Sequence, residues 1–195
     1  MSSVETPPTL SSPSALSKAI STVPSRATVE VWLQAWPALN VKVQSGHALA
    51  LEDALFQCAT DPGKPGFRAV WVLALLAERG VLESSNAPRR LAALLDDTDD
   101  LSRQRELLRA LLHLDLPHPV LAELLEWACA VVYLQGLPPA QYHMAVRMLD
   151  KGMSSSLAFS RQDVQEALAH LRSTDHPGHL KKKAALLMAR LSDSE

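Results

Sequence analysis

Aromatic residues make up only 5% of the 195 residues, and glycine occurs only seven times. A protein built from aromatic and β-branched strands is therefore disfavoured, whereas the Leu and Ala that recur along the chain are good helix formers. Cysteine is limited to Cys58 and Cys129, with no Cys-x-x-Cys pair and no histidine nearby at metal-ligand spacing. Both lie in apolar sequence and are expected to be buried thiols that behave as small apolar groups. No charge-free apolar run reaches the ~18 residues of a membrane span, and the first residues lack the basic start and apolar stretch of a signal peptide. A soluble cytoplasmic protein is the expectation. Neither sign of charge dominates: 19 basic residues face 21 acidic ones, for a net charge of -2 and a pI near 6.4. No whole-molecule field draws the chain to nucleic acid or to an anionic membrane, so any such binding must come from a local patch.

What is present is a globular composition, with 47% hydrophobic and 21% charged residues, enough to bury a core. The length allows about one compact domain plus a tail. Residues 1–28 hold eight Ser, four Thr and four Pro. They read as a disordered tail, in which Ala15 to Ile20 has material for a turn or two of helix. From Val29 to the end, apolar runs of helical length alternate with short clusters of Pro, Gly, Asp and Ser, and no segment sustains a period of two. The reading is one helical domain over 29–195.

The helix signals are well punctuated. A first helix is expected over Val29 to Leu39 and a second over His47 to Ala59, stopped by Asp61-Pro62-Gly63. The third, Phe67 to Arg79, is apolar on nearly all sides, which suits the middle of a molecule. Pro88 opens a short helix to Asp96, and Asp99 or Asp100 caps the next, which runs to Leu114 before Pro117. Pro119 to Leu134 and Pro139 to Lys151 follow. Ser160, with Asp163 three residues on, resembles a capping box for a helix to Arg172, and a last helix runs from Gly178 to Leu191.

The second members of these pairs begin near Phe67, Leu101, Pro139 and Gly178, a spacing close to the ~40-residue period of stacked helix-pair repeats. One pair carries residue-level detail. Leu91-Ala-Ala-Leu94-Leu95-Asp96-Asp97-Thr98-Asp99-Asp100-Leu101-Ser102-Arg103, followed by Leu107, Leu108, Leu111 and Leu112, resembles a HEAT repeat. The likeness lies in an apolar helix end, an Asp-rich turn and a second helix whose opening Arg falls at Arg103, while Ser102 stands where the family usually has Val. The resemblance implies an all-α, HEAT-like α-solenoid of about four helix pairs; an irregular helical bundle is the alternative. It also implies that Asp99 or Asp100 caps the second helix and that Arg103 reaches toward a neighbouring unit's turn acid. Outside this pair the match is periodic only.

Catalytic patterns are missing. Asp61-Pro-Gly-Lys-Pro-Gly66 has two glycines and a lysine, but its prolines remove the N–H groups a phosphate loop needs, so it reads as an inter-helix turn. Ser154, Ser155 and Ser156 read as a polar loop. His170, His176 and His179 are the only histidines whose spacing suggests a metal or catalytic cluster, and a solvated Pro-Gly turn explains them more simply. No cofactor and no metal are expected. Basic residues concentrate on the second helices: Arg103, Arg105 and Arg109, then Arg147 and Lys151, then Lys181, Lys182, Lys183 and Arg190. Trp32 and Trp36 share a helix face and suit core or end-capping packing; an aromatic anchor for a partner is the other use.

The function expected is therefore a non-enzymatic protein-protein interaction module or adapter. Arg103, Arg105, Arg109 and Arg147 are the polar contacts to another protein. The alternative is nucleic-acid backbone binding by Arg and Lys of the second helices, as in HEAT-like proteins of the DNA alkylation repair type.

Overall fold

A computed structural model describes residues 7–22, 24–41, 45–155 and 160–192. Among them the protein is all-α, with no strand. The chain divides into two compact units between Asp115 and Leu116.

The first unit holds a 3-10 turn at Pro8–Leu10 and helices α1 (Pro13–Ser21), α2 (Arg26–Val41), α3 (Ser45–Ala59), α4 (Lys64–Glu78), α5 (Ala87–Asp96) and α6 (Leu101–Leu112). Here the sequence reading needs a correction, because much of the supposed tail is packed. Ser12 caps α1 by accepting from the Ala15 N–H at 3.2 Å, and Pro13 occupies the first turn, where its missing N–H costs nothing. Leu10, Leu16 and Ile20 are then fully buried, and α1 packs on α3 and α4. The Ser-rich, Pro-rich texture that suggested disorder is partly the chemistry of a helix start. The domain expected over 29–195 accordingly gains residues 8–21 at its beginning and is split at Asp115.

α4 meets α1, α2, α3 and α6, and Ala69, Val70, Val72, Leu73, Ala74 and Leu76 are fully buried, as its all-round apolar character predicts. Trp32 and Trp36 of α2 are core residues. The α3–α4 turn is unusually tight. Gly63 has a positive φ of 77°, which favours glycine, and a Cβ on Gly66 would lie 2.0 Å from the Asp61 carbonyl oxygen.

The second unit contains α7 (His118–Tyr133), α8 (Pro139–Met153), α9 (Arg161–Ser173) and α10 (Gly178–Ser192). α7 packs on α8 and α9 on α10, while α7 also packs on α9 and α8 on α10. Helix pairs thus stack first helix on first and second on second. In the first unit α3 pairs with α4 and α5 with α6, and the second helices α4 and α6 again lie against each other. At the α7–α8 contact Gly152 lets the helices approach, since a Cβ there would fall 2.3 Å from a Leu125 methyl. Cys58 and Cys129 are half-buried free thiols rather than the fully buried ones expected. Among the described residues no helix is long and apolar enough to cross a membrane.

Candidate functional site

The second helices bear the cations singled out in the sequence, and each cation's neighbours decide what it can do. α6 starts on Asp100, whose Oδ1 accepts from the N–H groups of Ser102 at 2.8 Å and Arg103 at 3.3 Å. Asp100, and not the exposed Asp99, is therefore the cap. Gln104 donates back to the Thr98 carbonyl at 2.7 Å and closes the turn. Leu107, Leu108, Ala110 and Leu111 are fully buried and hold the helix in register against α4.

Arg103 donates to the carbonyl oxygen of Asp61 at 3.3 Å. It thus reaches the turn acid of the preceding helix pair through that residue's backbone rather than its carboxylate. Arg68 of α4 donates to the carbonyls of Ile20 at 3.1 Å and Ser21 at 3.0 Å. That places a cation on the negative end of α1. Both arginines tie elements together.

Arg105 and Arg109 share Glu106, whose side chain is only 6% exposed. Arg105 donates to Glu106 Oε1 from Nη2 at 3.1 Å and from Nε at 3.2 Å, and Arg109 Nη2 lies 3.0 Å from Oε2. The carboxylate is buried beside two partly solvated guanidiniums. Arg109 is mostly covered, whereas the Arg105 side chain is 44% exposed. Arg105 and Glu106 join Lys64, Phe67, Arg68 and Trp71 of α4, with Pro24, around a hollow of about 440 Å³. Its aromatic lining is Phe67 and Trp71, its charged lining three cations and one buried anion.

On α8 and α10 of the second unit, Asp150 receives Lys183 Nζ at 2.8 Å and Arg190 Nη1 at 2.5 Å, and Arg190 Nη2 also donates to the Ser154 hydroxyl at 3.3 Å. Burial pushes the Asp150 carboxyl up, but the two cationic donors outweigh it and hold it below the usual carboxylate range. Arg147 is half-buried on the same helix. Burial, then the charges of Arg147, His179 and Lys183, push the His143 imidazole below its ordinary value. Lys183 and Arg190 are thus neighbours through Asp150, and Arg147 and Lys183 both act on His143.

The histidines do not form a trio. His170 packs against Tyr133 with ring centroids 4.6 Å apart, and His176 meets the Tyr142 ring at 4.3 Å. Tyr142 donates its hydroxyl to the Leu134 carbonyl at 2.7 Å. Among the described residues no three His, Cys, Asp or Glu side chains could hold a metal ion. Ser154 and Ser155 bond to backbone carbonyls of α8, while Ser156 lies outside the described residues.

Two carboxylates were not anticipated. Glu106 carries a sequence signal, since Arg105 precedes it and Arg109 follows at i+3. Glu52 carries almost none. It is fully buried on α3 and accepts from the N–H groups of Glu83 at 2.7 Å and Ser84 at 2.9 Å, pinning the α4–α5 connection. Burial raises its pKa, and the two backbone donors oppose that rise.

No family model matches the chain, and no curated protein or solved structure is found to match it. The fold defines an all-α protein of stacked helix pairs, and function has to be argued from surfaces.

Proposed function

We propose that this protein is a non-enzymatic, cytoplasmic interaction module, an adapter of HEAT-like solenoid type that binds another protein through the second helices of its pairs. The observation that carries this reading is the hollow between α4 and α6, where Phe67 and Trp71 lie among Lys64, Arg68 and Arg105. Apolar area with a few fixed charges is how a recognition pocket combines affinity with orientation. The charge balance favours an acidic segment bearing an apolar or aromatic side chain. Arg105 is the exposed contact; Arg103 and Arg109 support the face from behind it, and Arg147 contributes a separate contact on α8. Stacking of α4 on α6 and of α8 on α10 supports the repeat-like reading.

The test is direct binding of the full chain to fluorescently labelled Glu-rich peptides containing one Trp or Phe, beside a Lys-rich control. Acidic peptides should bind and quench or shift Trp71 emission, and Arg105→Glu should weaken them about tenfold. Equal binding of both peptides, or no effect of Arg105→Glu, rejects the assignment.

A second reading, binding of a nucleic-acid backbone, is favoured by one observation. Lys183 and Arg190 share a single carboxylate, Asp150, and Arg147 lies on the same helix as that carboxylate, so α8 and α10 carry excess positive charge. Labelled duplex DNA and single-stranded RNA, titrated from about 50 to 200 mM salt, test it, because multiple phosphate contacts weaken steeply over that range. A steep salt slope that Arg147→Glu lowers by about one phosphate contact supports it; flat traces at every salt reject it.

A further inference from the structure

The first-helix side of the second unit carries a groove of the opposite charge. α7 and α9 pack together, and beside their contact Leu125, Cys129 and Val164 lie in a hollow of about 480 Å³ whose area is mostly apolar. Its charged lining residues are Glu126, Asp163 and Glu166, all exposed, and no cation lines it among the described residues. Gln162 donates to Glu166 at 2.9 Å, which neutralises nothing. The carboxylates leave their mark on the groove. Burial and then Asp163 push the Cys129 thiol above its usual range, and the Tyr133 hydroxyl is raised by burial and by Glu166, Cys129 and Asp163. At neutral pH Cys129 is a neutral thiol, part of the apolar wall.

An apolar trough flanked by carboxylates on both helices complements one kind of occupant. We propose that the α7–α9 groove docks a short amphipathic segment of a partner protein that is basic on one side and apolar on the other. Leu-like side chains lie along Ala122, Cys129, Ala130 and Tyr133, over a floor of the buried Leu125 and Val164, and Lys or Arg side chains reach Glu126, Asp163 and Glu166. This is the helix-in-groove mode of recognition, with three rim charges setting specificity and rate of encounter. The site is independent of the α4–α6 hollow. It lies in the other unit, uses first helices, and selects the opposite charge, so either assignment can fail while the other stands.

Cys129 provides a reporter inside the groove. In a full-length Cys58→Ala chain the remaining thiol can be alkylated with iodoacetamide, with and without a 14-residue amphipathic Leu/Lys peptide. A scrambled peptide of equal composition and an amphipathic Leu/Glu peptide serve as controls. The expected result is saturable binding of the Leu/Lys helix with at least about a fivefold slowing of Cys129 alkylation, and neither effect with the controls. Glu126→Lys with Glu166→Lys should weaken binding about tenfold. Asp163 is left alone because it sits in the first turn of α9. Ala130→Trp, at an exposed wall position, should block the groove sterically without touching its charge. Unchanged alkylation at saturating peptide, equal binding of the scrambled peptide, or full binding by the helical, folded charge-reversal and Ala130→Trp chains overturns the proposal.

Discussion

The second-helix surfaces of the two units contain similar residues and put them to different use. On α4 and α6 most of the arginines are spent internally, and only Arg105, 44% exposed, still faces the hollow. Arg68 covers the carbonyl end of α1, Arg103 holds the α3–α4 turn, and Arg105 and Arg109 flank a buried Glu106. On α8 and α10, Lys183 and Arg190 converge on one half-buried Asp150, while Arg147 is half-buried on α8. A cation's availability is thus set by what acceptor the fold brings to it, because a buried acceptor left alone costs more than an exposed ion pair gains.

The sharpest way to break this comparison is at the two close-approach glycines, one in each unit. Gly66→Ala drives a Cβ into the Asp61 carbonyl, backbone that cannot rotate away and that also anchors Arg103. A loss of about 3 kcal/mol is expected, read as a lowered urea midpoint followed by Trp fluorescence. Gly152→Ala meets only the Leu125 side chain, which can change rotamer. Its net cost should be about 1 kcal/mol, after the gain in helix propensity.

Between these extremes lies Glu106→Ala, which leaves Arg109 without its carboxylate. The side chain is nearly buried, but both partners are partly solvated, so about 2 kcal/mol is expected rather than the full cost of orphaning a buried ion. Glu106→Gln should recover part of it. Glu52→Ala belongs in the same range, about 2 kcal/mol, because it strands the N–H groups of Glu83 and Ser84. Protection of those two amides from hydrogen exchange should fall with it.

The smallest effect is expected at Asp150, where Lys183 and Arg190 are about half exposed. Asp150→Asn should cost less than about 1 kcal/mol at pH 7. Its pH dependence is more telling. A carboxyl depressed in the fold stabilises above its unfolded value near ~3.9, and the contribution vanishes as pH falls through the lower folded value. Wild type should therefore lose this increment below about pH 4, while Asp150→Asn shows no such increment; urea midpoints at pH 6, 4 and 3 measure it.

Much of the helix order was legible because its signals are local. Pro at the first turn, Asp100 and Ser160 as caps, and Gly63 at a turn act within a few residues of themselves. The failure over residues 8–21 has the same root. Ser12-Pro13 is both a disorder-like pair and a helix start, and only the burial of Leu10, Leu16 and Ile20 on partners far along the chain separates the two. The candidate site was half legible. Arg103's reach toward a turn acid was what the resemblance to a HEAT repeat implied, and it ends on the Asp61 backbone, whereas the burial of Glu106 was not foreseen. The acidic groove was not legible, since Glu126 and Glu166 belong to different helices and share a wall only after packing.

The sequence alone determined the all-α class, the placing of most helices and the narrowing of the α6 cap to Asp99 or Asp100, because propensity, capping and apolar spacing are short-range effects; packing chose Asp100. Tertiary structure decided the division at Asp115, the burial of Glu52 and Glu106, which arginines are consumed and which are presented, and the opposite charge of the two hollows. Those follow from desolvation and from pairing between residues distant in sequence, and neither exists until the helices are packed.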